Sequence, residues 1–432
     1  IGSLTIGSGY ETATFNDVRS TCNTLRLALA FGTAAADIRR CLQGTEKRHI
    51  SLVVENGRIT SSAAEPDDDK GRCVTRALAG AQLGGLTCAL EAGVRLPIDP
   101  GKGEVSEPST GLTVGSLEAT HSNGSRYRFP LIEGESPAAS RINTFLQTIE
   151  LRKLPGRHSE TAFEDVWPDE GSHHGMTGID YSFAFNQPGI LSVEIAGDYY
   201  GAYPSSSLRT YYFDAHTGEV ITLRNLFSLT GLATLDETIT RARLQRLDDF
   251  LAGKRLPDGA QLRSDPDEAA DQQALYQECR PRIEKGHPVS SDRLILSKHT
   301  LGLVREPCAP HVLLALDDLV FDDTRSYAEL ENLLSDYGRC LLIARRSDCR
   351  HSNTGISSGV YRGMIGGRYP ITLVIESAVS TGKVAATYFY DKYATAIALG
   401  GTVTEDGSVQ LIEKGPPPAR FELRRQPDGR FR

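Results

Sequence analysis

Two stretches of this sequence decide its fold: Phe129-Pro-Leu-Ile-Glu-Gly134, which leads into Arg141-Ile-Asn-Thr-Phe-Leu146, and Tyr211-Tyr-Phe-Asp-Ala-His-Thr-Gly-Glu-Val-Ile-Thr-Leu-Arg-Asn-Leu-Phe227. The first is typical of a strand that ends in a turn at Glu133-Gly134. Apolar residues then recur at helical spacing, which predicts an amphipathic helix from Pro137 to Glu150. In the second stretch an alternating strand meets a polar turn from Asp214 to Glu219, and a helix follows Asn225.

Alternating strands and helical segments continue from residue 116 to residue 345. The predicted strands cover 126–132, 181–185, 190–200, 208–213, 293–296, 302–304 and 312–316. Helical spacing predicts a helix over 235–251 and a short one that begins at Tyr327. Residues 253–290 are rich in Asp and Pro and are predicted to be an insertion. The expected architecture is a set of helices packed on one antiparallel sheet.

The two quoted stretches resemble the extracytoplasmic module of bacterial envelope proteins such as the lysozyme-sensing anti-sigma factor RsiV and the non-catalytic part of the peptidoglycan deacetylase PdaC. The resemblance covers about residues 116–343 and implies an α+β module that binds other molecules and performs no chemistry. It implies an exported, non-catalytic envelope protein that binds a lysozyme-like cell-wall enzyme or a peptidoglycan fragment.

The N-terminal part is predicted to form an arm and one domain. Residues 1–14 are rich in Gly and Ser and form an extended arm, either a loose terminus or a strand that adds to the sheet edge of a neighbouring molecule. Residues 15–98 show helical spacing from Asp17 to Phe31, a hairpin that turns at Asn56-Gly57, a second helix and a final strand, which predicts an α+β sandwich. The composition of residues 99–115 predicts a linker.

The frame of this first domain has a resemblance of its own. Its elements are Arg39-Arg-Cys41, Gly44, a strand, Asn56-Gly-Arg-Ile59 and Cys73-Val-Thr-Arg-Ala-Leu78. This frame looks like the TonB-C-terminal-like domain of some envelope proteins. The resemblance implies a disulfide between Cys41 and Cys73, and Cys22 is then left to pair with Cys88.

The cysteine pattern predicts disulfides. Eight cysteines form two groups of four, and none forms a Cys-x-x-Cys pair, which disfavours zinc or thioredoxin-like chemistry. In the second group we expect Cys279–Cys308 and Cys340–Cys349. Disulfides predict an oxidising compartment, periplasmic, cell-surface or extracellular, whereas buried free thiols in a cytosolic protein are the alternative.

Residues 346–432 consist almost wholly of strands and turns. Turns at Thr381-Gly382, Glu405-Asp-Gly407 and Asp428-Gly429 separate the strands. The patterns Gly359-Val-Tyr-Arg-Gly-Met-Ile-Gly366 and Val384-Ala-Ala-Thr-Tyr-Phe-Tyr390 resemble a small β domain of bacterial envelope proteins. The sequence as a whole therefore predicts an α+β protein of three domains, of which the third is an antiparallel meander or a small barrel.

Composition restricts the partners. A chain of 432 residues is expected to form two to four domains. The net charge of −8 and the lack of a basic stripe argue against nucleic acid and favour a basic partner. The sequence contains no run of about 20 apolar residues, so no membrane span is predicted. Since the chain begins at Ile1 and not at Met, we expect either a mature protein or a trimmed chain in which the signal peptide is absent.

Catalytic motifs do not emerge from the sequence. It contains no Gly-x-Ser-x-Gly elbow, no phosphate-cradling glycine loop and no Ser-x-x-Lys frame, so no enzyme is predicted. The adjacent histidines His173-His174 lack the spacing of a metal site. Calcium binding by Asp317-Asp318 with Asp322-Asp323 is the weaker alternative to solvated loops. No metal and no cofactor are therefore predicted.

A cluster of tyrosines is the remaining functional signal. The predicted binding residues are Asp198, Tyr199, Tyr200 and Tyr203. Tyrosines on the rim of a sheet are good contact residues for proteins and glycans, and packing in the core of a wide sheet is the alternative. If the cluster binds nothing, the second hypothesis is a structural subunit of an extracellular filament or surface assembly that self-associates through residues 1–14.

Overall fold

The structure is a computed structural model. It describes residues 2–8, 11–20, 41, 47–55, 58–65, 68–79, 88–95, 111–168, 174–183, 186–201, 204–256, 260–286, 289–310, 313, 316–319, 321–351, 357–378, 383–404, 408–413, 418–424 and 426. The chain divides into two compact units, Ile1–Ser106 with Ser182–Ala184 and Glu107–Tyr181 with Phe185–Arg432. The predicted α+β class with antiparallel sheets is confirmed. The domain boundaries placed at residues 98, 115 and 345 stay predictions.

The first unit contains a five-stranded antiparallel sheet. Its strands are β1 (Gly2–Ser8), β2 (Glu11–Ser20), β3 (Lys47–Glu55), β4 (Arg58–Glu65) and β5 (Cys88–Arg95). They lie in the order β1-β2-β5-β3-β4. Helix α1 (Asp69–Leu78) begins where the Asp68 side chain accepts a hydrogen bond from the backbone of Gly71. Cys73 in this helix is bonded to Cys41, which confirms that disulfide.

The predicted N-terminal arm is part of this sheet, because β1 pairs with β2 and β2 pairs with β5. The helix predicted to begin at Asp17 is wrong over residues 17–20, which belong to strand β2. Pairing with β5 there satisfies the backbone hydrogen bonds in an extended conformation. The hairpin of β3 and β4 is confirmed. Cys22 lies outside the described residues, so its bond to Cys88 stays a prediction.

The second unit is built on a six-stranded central sheet. Its strands are β6 (Val114–Thr120), β7 (Arg126–Ile132), β8 (Gly175–Ser182), β9 (Asn186–Gln187), β10 (Ile190–Tyr200) and β11 (Pro204–Asp214). They follow the order β11-β10-β8-β7-β6, with β9 paired to β10. One junction is parallel, since Tyr127 of β7 is the partner of Ile179 in β8. Strands β7 and β10 have the predicted bounds.

Helix α2 (Pro137–Leu151) follows β7 as predicted. The Ser136 side chain accepts a hydrogen bond from the backbone of Ala139, and Pro137 occupies the first turn, where a missing N–H costs little. The helix ends at Arg152, whose φ of 58° is left-handed. Phe145 packs edge-on against Tyr211 and Phe213 of the central sheet, with ring centroids 5.7 Å apart in both pairs.

Among the described residues in the middle of the chain are five α-helices and a small sheet. They are α3 (Leu223–Leu226), α4 (Leu229–Leu251), α5 (Pro266–Pro281), α6 (Tyr327–Leu330), α7 (Asp336–Gly338), β12 (Arg293–Leu296), β13 (Thr300–Val304) and β14 (Asp323–Ser326). Helix α5 lies in the predicted insertion, where Asp265 caps the helix and Pro266 starts it. The strand predicted over 312–316 is wrong, since Leu313 and Leu316 lie in 3₁₀ turns.

The C-terminal region is a six-stranded antiparallel meander. Its strands are β15 (Gly359–Ile365), β16 (Tyr369–Ala378), β17 (Lys383–Tyr390), β18 (Ile397–Val403), β19 (Val409–Glu413) and β20 (Arg420–Leu423). Each strand pairs with the next. The ring of Tyr388 in β17 lies 5.2 Å from that of Phe421 in β20. In a flat sheet, three strand spacings would place these two strands about 14 Å apart. The short distance between their rings shows that the sheet curls into a half-barrel.

Helix α2 lies between two sheets of the second unit. It contacts β7 on one side and β15 and β16 on the other. Arg362 of β15 reaches the Ser140 hydroxyl at 3.5 Å. This double contact explains why almost the whole circumference of the helix is buried.

Two further disulfides lie in the second unit, and both confirm the predicted pairs. Cys279 at the end of α5 is bonded to Cys308, and Cys340 is bonded to Cys349. Among the helices that the structure describes, none is long and apolar enough to cross a membrane.

Candidate functional site

The tyrosine-rich segment forms a long antiparallel hairpin of β10 and β11. The register pairs Tyr199 with Ser205 at the far end and Val193 with Tyr211 near the base. Because side chains alternate along a strand, Tyr199 shares a face with Arg209 and Tyr211, which are turned toward helix α2.

The structure therefore divides the predicted binding cluster. Tyr199 belongs to the α2 side of the hairpin, whereas Asp198 and Tyr200 belong to the opposite side. Tyr200 is 40% exposed, and its ring lies edge-on to that of His174 at 6.4 Å. Tyr203 lies outside the described residues. The binding role of all four residues stays a prediction.

The hairpin is fixed to α2 by a buried carboxylate. Glu150 in the last turn of α2 has a side chain that is only 2% exposed. The Tyr211 hydroxyl donates a hydrogen bond to its Oε1 atom. The Nη1 atom of Arg209 lies 3.5 Å from the same oxygen and 3.8 Å from Oε1 of Glu376 in β16. The cluster thus joins α2, the hairpin and the C-terminal sheet.

Burial dominates the electrostatics of this cluster. It raises the pKa of Glu150 above its usual range, although Arg209 and Tyr211 favour the ionised form, and the charge of Glu376 adds to the rise. Burial, reinforced by the charge of Glu150, also raises the pKa of Tyr199 and holds that of Tyr211 well above its usual value. Both tyrosines therefore stay protonated at physiological pH, and Tyr211 remains a donor to Glu150.

The two stretches that decide the fold meet at the base of this hairpin. Gly218 has a φ of 73°, and a Cβ atom there would lie 2.5 Å from the carbonyl oxygen of Ala138 in α2. Arg141 of α2 donates to the carbonyl of Thr217 at 3.0 Å. The second motif thus needs glycine at this position because its turn packs directly on the helix of the first.

Asp214 organises the same turn. Its Oδ1 atom accepts hydrogen bonds from the backbone of His216 and Thr217, each at 2.9 Å. Its Oδ2 atom accepts from the buried Tyr337 hydroxyl at 2.8 Å. The carboxylate is saturated by structural donors, which makes it part of the framework.

Of the residues in this cluster, the sequence indicates Tyr199 but not Glu150, Arg209 or Glu376. A signal for Glu150 was present, because it lies four residues after Leu146 on the predicted apolar face. A charged residue at such a position either ends the helix or is paired in the interior. No comparable signal exists for Glu376, which lies in a distant strand.

The acids considered as calcium ligands pair within the protein. Asp317 accepts from the Tyr276 hydroxyl and the backbone of Ala309, and Asp318 pairs with Arg263 at 3.0 Å. Across the ranges covered by the structure, no group of three or more His, Cys, Asp or Glu side chains could hold a metal ion.

The solved structures that are similar to this chain include two DUF3298 family proteins. One, from Bacteroides fragilis NCTC 9343, is 12% identical, with a TM-score of 0.37 over 56% of this chain and 100% of that one. The other, from Pseudomonas aeruginosa PAO1, is 13% identical, with a TM-score of 0.32 over 54% of this chain and 97% of that one. No family profile and no curated protein sequence matches the chain.

Proposed function

We propose that this chain is an exported, non-catalytic protein of the bacterial envelope whose β10–β11 hairpin binds a basic protein, a lysozyme-like cell-wall enzyme. The observation that supports this most is the anchoring of the hairpin. Its base is fixed to α2 through Tyr211 and the buried Glu150, while Tyr200 near its end is 40% exposed. A rigid strand pair that presents an aromatic side chain loses little conformational entropy on binding.

Charge supports a basic partner. The chain has a net charge of −8, and Asp198 lies on the same side of the hairpin as Tyr200. A carboxylate beside an exposed aromatic ring suits an Arg or Lys of the partner, which would contact both. The three disulfides within the described residues support folding in an oxidising compartment, where such enzymes occur.

Binding to a purified lysozyme and to soluble peptidoglycan fragments, measured by calorimetry, tests the proposal. We expect the wild type to bind lysozyme, and we expect Tyr200→Ala to raise Kd about 5- to 150-fold, as the loss of a 1–3 kcal/mol contact residue does. Tyr203→Ala is expected to act in the same direction. Leu229→Ala, at an apolar residue of α4 that is 85% exposed, is the control and should leave Kd unchanged.

The melting temperature separates a contact residue from a core residue. An unchanged melting temperature in Tyr200→Ala with weaker binding supports the hairpin as the contact surface. Equal affinity in wild type and variant would contradict the site. Binding to peptidoglycan fragments in place of lysozyme, if Tyr200→Ala weakens it, would assign a glycan to the same hairpin. Binding to neither ligand would reject the function.

One observation favours the second hypothesis, a subunit of an assembly. In the portion that the structure describes, β1 lies at the edge of its sheet and pairs with β2 alone. An edge strand can add to the sheet of a neighbouring molecule. Concentration-dependent high mass in size-exclusion chromatography, abolished by deletion of residues 1–8, would support assembly. A monomer at all concentrations would exclude it.

A further inference from the structure

One end of the C-terminal half-barrel presents large apolar side chains to solvent. Tyr369 is 51% exposed, Tyr393 is 68% exposed and Met364 is 65% exposed. Met364 and Tyr369 flank the turn between β15 and β16, and Tyr393 lies in the turn after β17. Exposed aromatic residues grouped at one place on a protein indicate an interaction site more often than isolated ones do.

Both turns are held by backbone hydrogen bonds. Arg368 donates to the carbonyl of Ile365 at 3.2 Å across a turn in which two glycines have positive φ. Tyr393 donates to the carbonyl of Tyr390 at 2.9 Å. Asp391 donates to the carbonyl of Pro370 at 3.0 Å, which ties the second turn to the start of β16. The two exposed tyrosines are therefore presented from connected, ordered turns.

Each of these two tyrosines, Tyr369 and Tyr393, has a cation over its ring. The guanidinium carbon of Arg368 lies 5.4 Å from the centre of the Tyr369 ring, and Nζ of Lys392 lies 5.2 Å from that of Tyr393. Neither cation forms an ion pair with any carboxylate in the described part of the chain. The acids at this end have other partners, since Asp391 accepts from Thr372 at 2.8 Å and Glu413 accepts from Tyr388 at 3.2 Å.

Another cation–ring pair, in the central sheet, has a different charge environment. Arg128 lies over the Tyr181 ring at the same 5.4 Å, but its guanidinium is 3.6 Å from Glu118 and 3.4 Å from Asp180. The cation–ring pair of the central sheet is thus neutralised by carboxylates. Neither cation of the half-barrel lies within 4.0 Å of a carboxylate in the described residues, so both can pair with a carboxylate of a ligand.

We infer that this end of the half-barrel binds an acidic polysaccharide. The apolar face of a pyranose ring packs on an exposed tyrosine, and a carboxylate on the sugar pairs with Arg368 or Lys392. Two cations are too few for nucleic acid, which depends on contacts to many phosphates. Two exposed rings on connected turns can each pack against one sugar of the same chain. This site lies on a different sheet from the β10–β11 hairpin, so its test does not depend on the proposed function.

Calorimetric titration of the full chain at low salt with a galacturonic acid hexamer tests the inference. An N-acetylglucosamine hexamer is the neutral ligand and a glutamate hexamer is the acidic peptide. We expect the galacturonate to bind and the other two to bind at least about tenfold more weakly, because each supplies only one of the two contacts. Binding should weaken as salt is added.

Two double variants locate the site. Tyr369→Ala with Tyr393→Ala and Arg368→Gln with Lys392→Gln should each raise Kd at least about tenfold. Arg128→Gln is the matched control and should stay within about twofold of the wild type. The inference is overturned if the wild type does not bind the galacturonate, if the glutamate hexamer binds equally well, or if the double variants bind like the control. Unchanged melting temperatures show that the variants are folded.

Discussion

Glu150 and Tyr211 meet in the interior between helix α2 and the β10–β11 hairpin, where the tyrosine hydroxyl donates to the glutamate carboxylate. Arg209 approaches the same oxygen from the partly exposed side. The contact joins the end of the helix of the first motif to the start of the second motif. Because it is buried, its strength and its protonation state both affect the stability of the hairpin.

The pH dependence of stability should reveal the buried Glu150. Burial raises its pKa in the folded protein, so between its usual value of about 4.3 and the raised value the folded state binds more protons than the unfolded state. This contribution is present below about pH 4.3 and is lost as the pH rises. We expect Glu150→Gln to become more stable relative to wild type between pH 4 and pH 7, as measured by urea unfolding.

Glu164 provides a control of opposite sign. Hydrogen bonds from Lys153 and Ser159 lower its pKa in the folded protein, so its contribution is present above the usual value and is lost as the pH falls. Glu164→Gln should therefore become less stable relative to wild type as the pH rises. The assignment of Glu150 fails if both variants show the same trend, or if the difference between Glu150→Gln and wild type is constant with pH.

A buried ion pair between α4 and the loop before β12 should contribute far more to the free energy of unfolding than an exposed pair does. Arg243 and Asp292 are 4% and 3% exposed and 2.8 Å apart. Asp292→Ala leaves the arginine charge without its partner and should cost about 3–5 kcal/mol of unfolding free energy. Glu237→Ala removes the partner of Arg241 in a pair that is 72–73% exposed and should cost less than about 1 kcal/mol. Similar losses in urea unfolding would contradict this ranking.

Most strands could be predicted from the sequence, because their patterns are local. Strand β7 and strand β10 have the predicted bounds, and all six strands of the half-barrel lie in residues 346–432, which are predicted to be almost wholly strands and turns. Helix α5 lies in the residues predicted to be an insertion, because its Asp and Pro residues are common in loops. Asp265 and Pro266 in fact start a helix, as the same residues do at many helix N-termini.

The environment of α2 could not be predicted from its own sequence. The apolar face predicted for it faces the central sheet. Thr144, Gln147 and Thr148 lie on the side of Ser140 and are also buried, although their residue types are typical of solvent. They are covered by β15 and β16, which follow more than 200 residues later in the chain. The charge cluster was missed for the same reason, since Glu376 lies in β16.

The disulfides of the second unit should differ in their effect on stability. Cys279–Cys308 joins residues 29 apart, and Cys340–Cys349 joins residues 9 apart. Loop entropy predicts losses of about 3.6 and about 2.6 kcal/mol when each pair is replaced by alanine. Urea unfolding checks the order, which a larger loss from the shorter loop would contradict. Peptide mapping of the oxidised protein tests the remaining pair, Cys22–Cys88.

The half-barrel should stabilise the central module, even though its sequence predicts a separate domain after residue 345. Val374 of β16 is fully buried, on the side of that strand opposite the half-barrel core and facing α2. We expect a chain that ends at His351, and so keeps the bond between Cys340 and Cys349, to melt below the full chain, because α2 loses its cover. Deletion of residues 1–106, the other compact unit, is the control and should leave the melting of the second unit nearly unchanged. Equal melting temperatures for residues 107–351 and 107–432 would show instead that the half-barrel folds independently and adds nothing to the helix that it covers.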